Sequence, residues 1–293
     1  MCDFSTWLSR GWCRTEMWCK ILSSRSDVPL VEVSGTDKVD FFVPFRWVDA
    51  PVPEGNFTVE ADREVCCRIT HAALEAKLGQ LAGKRKHLNV FRYLSGRYED
   101  FIGTPPATRT PESFASNFHI ASLEKSAKQR KGVTAVACAI LSGDIGMLRY
   151  LARSRAQLDM KMPELWEMAL PAGCTALHLA AIKGSRGVEV LEELLILRSD
   201  PNACEQNGGS VLCYCQHERA VAGLSFLSSG LGSTEVDASS CRALLLLTCI
   251  CAPPAVATRL LELRAQAQHF SAGVHKCRLF LSMLWVSIRL KLS

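Results

Sequence analysis

No stretch of this chain is apolar for long enough to span a bilayer. The apolar stretch Leu279 to Leu292 holds Arg289 and Lys291 and falls short of the roughly 18–20 residues a spanning helix needs. It is expected to form a terminal helix covering the last structural unit. Charge of one sign is equally scarce: 34 Lys and Arg face 29 Asp and Glu, a net +5 over 293 residues, which gives no footing for nucleic-acid binding. The opening Met1-Cys2-Asp3-Phe4-Ser5 has neither the basic start nor the apolar core of a secretory signal. A reducing, cytoplasmic setting is therefore expected, with the 14 cysteines present as free thiols. The sequon Asn56-Phe57-Thr58 is then silent. Cys213-x-Cys215 and Cys249-x-Cys251 lack the C-x-x-C spacing and second ligand pair of a structural zinc site. No metal and no cofactor is expected.

The informative features are helical. In Thr175-Ala176-Leu177-His178-Leu179-Ala180-Ala181, the alanines let a second helix approach closely and the leucines supply apolar contact. Gly184 can take the left-handed conformation that ends a helix. Val188, Leu191, Leu194 and Leu195 recur at spacings of three and four, the pattern of a second amphipathic helix. Asp200-Pro201-Asn202 then turns the chain.

This segment resembles the ankyrin repeat, with Ala176 where the family has proline. A single helix pair cannot bury its own apolar face, so the resemblance requires neighbours at a period of about 33 residues. Upstream, Gly132 to Ala139 with Gly143 fits the same frame, with Met147, Leu148 and Leu151 in its second helix. Downstream, Gly209 to Tyr214 restarts it and Thr234 to Asp237 closes it, while Ala243 to Cys249 and Ala255 to Leu263 give a fainter further pair. The resemblance implies a solenoid of about four repeats over residues 131–270. It also assigns His178 the family's structural role, hydrogen-bonding to loop backbone and locking adjacent repeats.

Thr134 and Thr175 hold the same repeat position yet stand 41 residues apart, so about eight residues are inserted between them. The insert lies in the finger loop, from about Met160 to Pro171, and carries Met160, Met162, Leu165, Trp166 and Met168. Such a density of apolar groups either packs back on the scaffold or meets a partner. In ankyrin repeats the partner surface is concave, made by the fingers and by the two residues before the turn glycine. That implies another protein as the ligand, bound by Leu141, Ser142, Trp166, Met168, Ile182, Lys183, His217 and Glu218. The chain is thus read as a binding scaffold rather than an enzyme.

The N-terminal part follows another pattern. Ser9-x-x-Trp12-Cys13-x-x-Glu16 resembles the S-x-W-C-x-x-E segment of TIR domains, and the apolar run Val28 to Val33 follows where that fold places a strand. In NAD-cleaving members of the family this glutamate is the catalytic acid, which makes Glu16 the one catalytic candidate and NAD hydrolysis the alternative function. Only fifteen residues precede Glu16 in this sequence, too few for the strands and nucleotide-contacting loop of such a domain, so an incomplete head is expected. Without TIR chemistry, Trp12 and Trp18 are core anchors of one amphipathic helix and Glu16 is exposed.

Val39 to Pro53 suggests a short strand and an extended packing segment, and Val65, Ile69, Ala72, Ala73 and Ala76 mark a helix. The Pro- and Thr-rich stretch Gly103 to Pro111 reads as a linker. The expected organisation is mainly α: a small incomplete TIR-like α/β head over residues 1–98, a linker and cap over 99–130, ankyrin repeats over 131–270 and an apolar tail over 271–293.

Overall fold

The computed structural model describes residues 4–24, 30–33, 39–42, 50–165, 168, 170–200, 203–209 and 211–214. The described chain is mainly helical. It begins with α1 (Phe4–Leu8) and α2 (Gly11–Leu22), followed by β1 (Leu30–Val33) and β2 (Val39–Phe42). Three helices follow: the long α3 (Ala61–Leu81), α4 (Leu88–Gly96) and α5 (Tyr98–Ile102). The short α6 (Pro111–Asn117) and α7 (Leu123–Ala127) precede the helical hairpins α8 (Ala135–Ser142) with α9 (Ile145–Arg153), and α10 (Ala176–Ile182) with α11 (Val188–Ile196). A last short helix, α12 (Val211–Tyr214), opens the next unit.

The strands form an antiparallel hairpin in which Leu30 pairs with Phe42 and Val33 with Val39. This corrects the expectation for the head. A TIR fold is a parallel sheet, and the one sheet among the described residues has two antiparallel strands. The strand expected in Val28 to Val33 is there, but its partner is the segment immediately following it.

What organises this half is helix packing. Trp18 of α2 is fully buried; its ring meets the Phe101 ring of α5 edge-on at 4.3 Å, and its indole N–H donates to the Ala50 carbonyl at 3.0 Å. α3 turns Cys66, Thr70, Leu74 and Leu81 inward and leaves Val65 and Ile69 exposed. The Thr70 hydroxyl is satisfied by the Cys66 carbonyl at 2.9 Å, so a polar residue can stand on the inner stripe.

The helical hairpins begin and end where the residue chemistry sets them. The Thr134 hydroxyl accepts from the Ala137 N–H at 3.3 Å, capping α8, and the Asp144 carboxylate accepts from the Met147 N–H at 2.9 Å, capping α9. Gly143 and Gly184 both adopt the left-handed conformation, with φ of 68° and 59°, at the equivalent turns. Every residue of α8 is buried, because α4, α7, α9 and α10 all pack on it. Alanine at positions 135, 137 and 139 makes that crowding possible. The buried core runs from Trp18 in α2 to Val211 in α12 without a break.

The Gly103 to Pro111 stretch is extended and largely exposed but tied at both ends. Thr104 accepts from the Arg186 guanidinium at 3.0 Å, and the Arg109 backbone N–H donates to Asp144 at 3.2 Å. The third unit beyond Tyr214, the fourth unit and the C-terminal stretch Leu279 to Leu292 lie outside the described residues. Among the described residues no helix is long and apolar enough to cross a membrane.

Candidate functional site: the inner face of the repeats and what covers it

The first helices of the two hairpins, α8 and α10, lie side by side and present one inner face. His178 sets the second unit in place. Its Nδ1 accepts from the Thr175 N–H at 3.2 Å and faces the Thr175 hydroxyl at 2.9 Å, while Nε2 faces the Gly209 carbonyl at 3.1 Å. A neutral imidazole with its proton on Nε2 satisfies both ends. The ring closes the start of α10 in a reciprocal cap and ties it to the loop that opens the next unit. This is the role the sequence assigned to it.

Burial holds the His178 imidazole below its usual pKa of 6.5, against opposing contributions from the Gly209 carbonyl and Glu205. The unfolded chain therefore takes up a proton at a higher pH than the folded one. The resulting stability is complete above about pH 6.5 and is lost as the pH falls toward the lower folded value. Melting temperatures at pH 7.5 and 5.5 should differ in the native chain and converge in His178→Gln. An identical pH dependence in both proteins would remove His178 from the lock.

Comparison with protein families gives the segment its name. Residues 172–206 match the ankyrin repeat family model. The chain carries an ankyrin repeat. Its hairpin is α10 and α11, and α8 with α9 repeats the same arrangement one unit earlier, from the threonine cap to the left-handed glycine. No curated protein and no solved structure matches the chain. Ankyrin repeats as a class are protein-interaction modules.

The inner-face positions are not open to solvent. Leu141, Ser142, Ile182 and Lys183 are all buried, at 0%, 2%, 7% and 7% exposure. What they meet is the chain itself. Gly96, the last residue of α4, lies so close to Leu141 that a Cβ on it would stand 2.6 Å from the Leu141 Cβ. Lys183 reaches from the end of α10 to the Asp100 carboxylate of α5 and to the Leu141 carbonyl, both at 2.6 Å. α4 therefore packs against Leu141 and α5 takes the Lys183 ammonium group, while Ser142 and Ile182 are buried with little surface to offer a separate protein.

The contact is polar as well as close-packed. Asp100 also receives the buried Arg97 at 3.4 Å and faces Arg186 at 3.7 Å, and Arg186 in turn faces Glu54 at 3.5 Å. Arg109 pairs with Glu99. Burial pulls the Lys183 ammonium pKa down, and the Asp100 carboxylate opposes it. On α4, Arg92 donates to the carbonyls of Phe118, Val133 and His119 at 2.9, 3.0 and 2.9 Å, and Asn89 accepts from the Val133 N–H at 3.2 Å. None of Arg92, Glu99, Asp100 or Arg186 stands out in the sequence; each matters through a partner far along the chain.

The finger loop folds back on the repeats. Met160, Met162, Leu165, Met168 and Leu170 are all buried, and Leu165 and Leu170 pair across the loop. Met168, at 1% exposure, thus serves the scaffold and is withdrawn as a partner anchor. Trp166, His217 and Glu218 lie outside the described residues.

The N-terminal motif has a structural explanation. On α2, Cys13, Met17, Trp18 and Ile21 face inward while Glu16 is exposed. Trp12 is half exposed, its N–H donating to Asp62 at 3.0 Å. Of the residues that resemble a TIR segment, Cys13 belongs to the stripe that packs α2 on α3 while Trp12 and Glu16 lie on its outer side, and nothing in the comparisons supports the TIR resemblance of this segment. Burial pushes the thiol pKa of Cys138 and of Cys174 up to about 12. No group of three His, Cys, Asp or Glu among the described residues is placed to hold a metal ion.

Proposed function

We propose that the chain is a protein-interaction module that presents its partner surface on the finger side of the repeats. The ankyrin repeat at residues 172–206 is the observation that carries this reading. α4 and α5 pack on α8 of the first unit, and Asp100 of α5 holds Lys183 of the second, so contact with another protein is assigned to the long finger and to the later units. Trp166 at the finger and His217 and Glu218 in the third unit are the residues assigned to that contact. A tryptophan buried at the centre of an interface dominates its energy more often than any other residue type.

The test uses the full chain with a photo-reactive phenylalanine analogue at position 166 or, as the inner-face control, at position 141. Cross-linking in cell extract is expected at 166 and not at 141. With the cross-linked protein purified, Trp166→Ala should weaken its binding by at least ~2 kcal/mol, with the melting temperature unchanged. Cross-linking from 141 and not from 166 would reverse the assignment of the partner surface. Unchanged affinity in Trp166→Ala would remove Trp166 from it.

A further inference from the structure

Apolar contact is one half of recognition; the described part of the finger edge also carries charge. The backbone N–H of Lys161, at the root of the finger, donates to the Arg130 carbonyl at 2.8 Å, and Lys161 pairs with Lys131 in an isolated parallel bridge. Arg130, Lys131 and Lys161 are all exposed, and no ion pair joins any of them to a described carboxylate. Like charges set directly opposite each other across a backbone bridge repel. Nothing in the folding of this edge requires cations at both positions, since the bridge is made by backbone groups.

A groove lies at the other end of the same segment. Leu123, Glu124 and Ala127 of α7 and Tyr150, Leu151 and Ser154 around α9 line a depression of about 290 Å³. Tyr150 stands 46% exposed in it. The Ala127 carbonyl accepts from the Gln157 N–H at 2.7 Å, so residues 127–131 run as one tethered strip from the groove to the Lys131 and Lys161 bridge. Lys128 and Lys125 border the strip, Lys128 being occupied by Glu124 at 2.6 Å. The acidic side chains nearest in sequence, Asp159 and Glu164, are exposed and pair with none of the three cations.

We propose that this strip docks an acidic segment of a partner protein, its carboxylates meeting Arg130, Lys131 and Lys161 and one apolar side chain entering the groove beside Tyr150. The inference rests on the protein-interaction reading above and gives the partner a chemistry. Cations alone would suit any polyanion. The groove, where Leu123 and Tyr150 stand among more polar surface that includes Glu124 and Ser154, favours a peptide, because one uncharged side chain can rest against Tyr150 there, and a net charge of only +5 on the chain supplies no broad field for a nucleic acid.

The test measures fluorescence anisotropy with the full chain and a labelled peptide of aspartate and glutamate carrying one central phenylalanine. Binding is expected to weaken at least about tenfold in Lys131→Glu with Lys161→Glu, and several-fold as salt rises from 50 to 300 mM, about the range over which exposed charges become screened. Tyr150→Ala should lower affinity for this peptide but not for one with alanine in place of phenylalanine. All the substituted side chains are exposed, so circular dichroism and melting temperature should match the native chain. Should the charge reversal perturb folding, Lys131→Gln with Lys161→Gln is read instead. Peptide binding unaffected by either double variant overturns the proposal, and so does tighter binding of a DNA oligonucleotide or of anionic lipid vesicles. If the peptide fails to bind while position 166 still cross-links to a protein, the acidic partner falls and the interaction reading stands; if neither occurs, both fall.

Discussion

Asp100→Ala is expected to destabilise the chain by about 3–5 kcal/mol, the usual cost of breaking a buried ion pair by removing one partner. Lys183 keeps its ammonium group on the Leu141 carbonyl at 2.6 Å but loses the only carboxylate within ion-pair distance of it among the described residues. Arg97, buried at 2% exposure, loses the same carboxylate. The penalty comes from stranded charge rather than from lost packing. It follows that Asp100→Leu with Lys183→Met, which removes both members of the pair, should be less destabilised than Asp100→Ala, because apolar groups of similar volume often replace a buried pair at little cost. Urea denaturation of the three proteins, analysed by linear extrapolation, checks both statements. A single variant within about 1 kcal/mol of the native chain would mean that solvent already reaches Asp100 and that α5 does not seal the inner face.

Trp18→Ala should cost a similar amount, about 3–5 kcal/mol for truncation of a fully buried aromatic side chain. It deletes the edge-on contact with Phe101 and leaves the Ala50 carbonyl without its indole donor. Glu16 lies on the same helix, exposed, and Glu16→Ala should change stability by no more than about 0.5 kcal/mol. The contrast between the two discriminates a packed helix from a catalytic segment. Thermal unfolding gives the stability half of the comparison. Cleavage of NAD by the native chain that vanishes in Glu16→Ala would restore the TIR reading.

Some of this fold was legible because its signals are local. The hairpin of α10 and α11 declares itself through a threonine cap, a leucine and alanine stripe and a turn glycine, all within some twenty residues, and α8 with α9 repeats the device. His178 was assigned its lock on the same local frame. The apolar density of the finger announced that Met160, Met162, Leu165 and Met168 would be buried somewhere. Composition could not choose between the scaffold and a partner, since both offer an apolar surface.

What covers the inner face was not legible. Lys183 and Asp100 are 83 residues apart, and Arg186 and Glu99 are 87. No periodicity links such positions, and a lysine before a turn glycine looks like a solvated ligand-binding residue until the helix in front of it is seen. Gly96 was a usable sign, since a glycine at the end of an amphipathic helix permits close approach, here to Leu141. α3 shows a related ambiguity. Its stripe of Cys66, Thr70 and Leu74 faces the core while Val65 and Ile69 face out, an inversion that only the position of α2 and α5 decides. The TIR resemblance arose in the same way, because a tryptophan, a cysteine and a glutamate at helical spacing serve a packed helix as readily as a catalytic one.

α4 and α5 pack on the repeats as part of one folded body. Native-state hydrogen exchange on the full chain tests this packing most directly. Amides of α4 and α8 are expected to open together, with matching free energies, and Asp100→Ala is expected to lower the protection of both by the same amount. Rapid exchange throughout α4 alongside full protection of α8 would contradict it, and would return Leu141, Ser142, Ile182 and Lys183 to solvent and to an external partner.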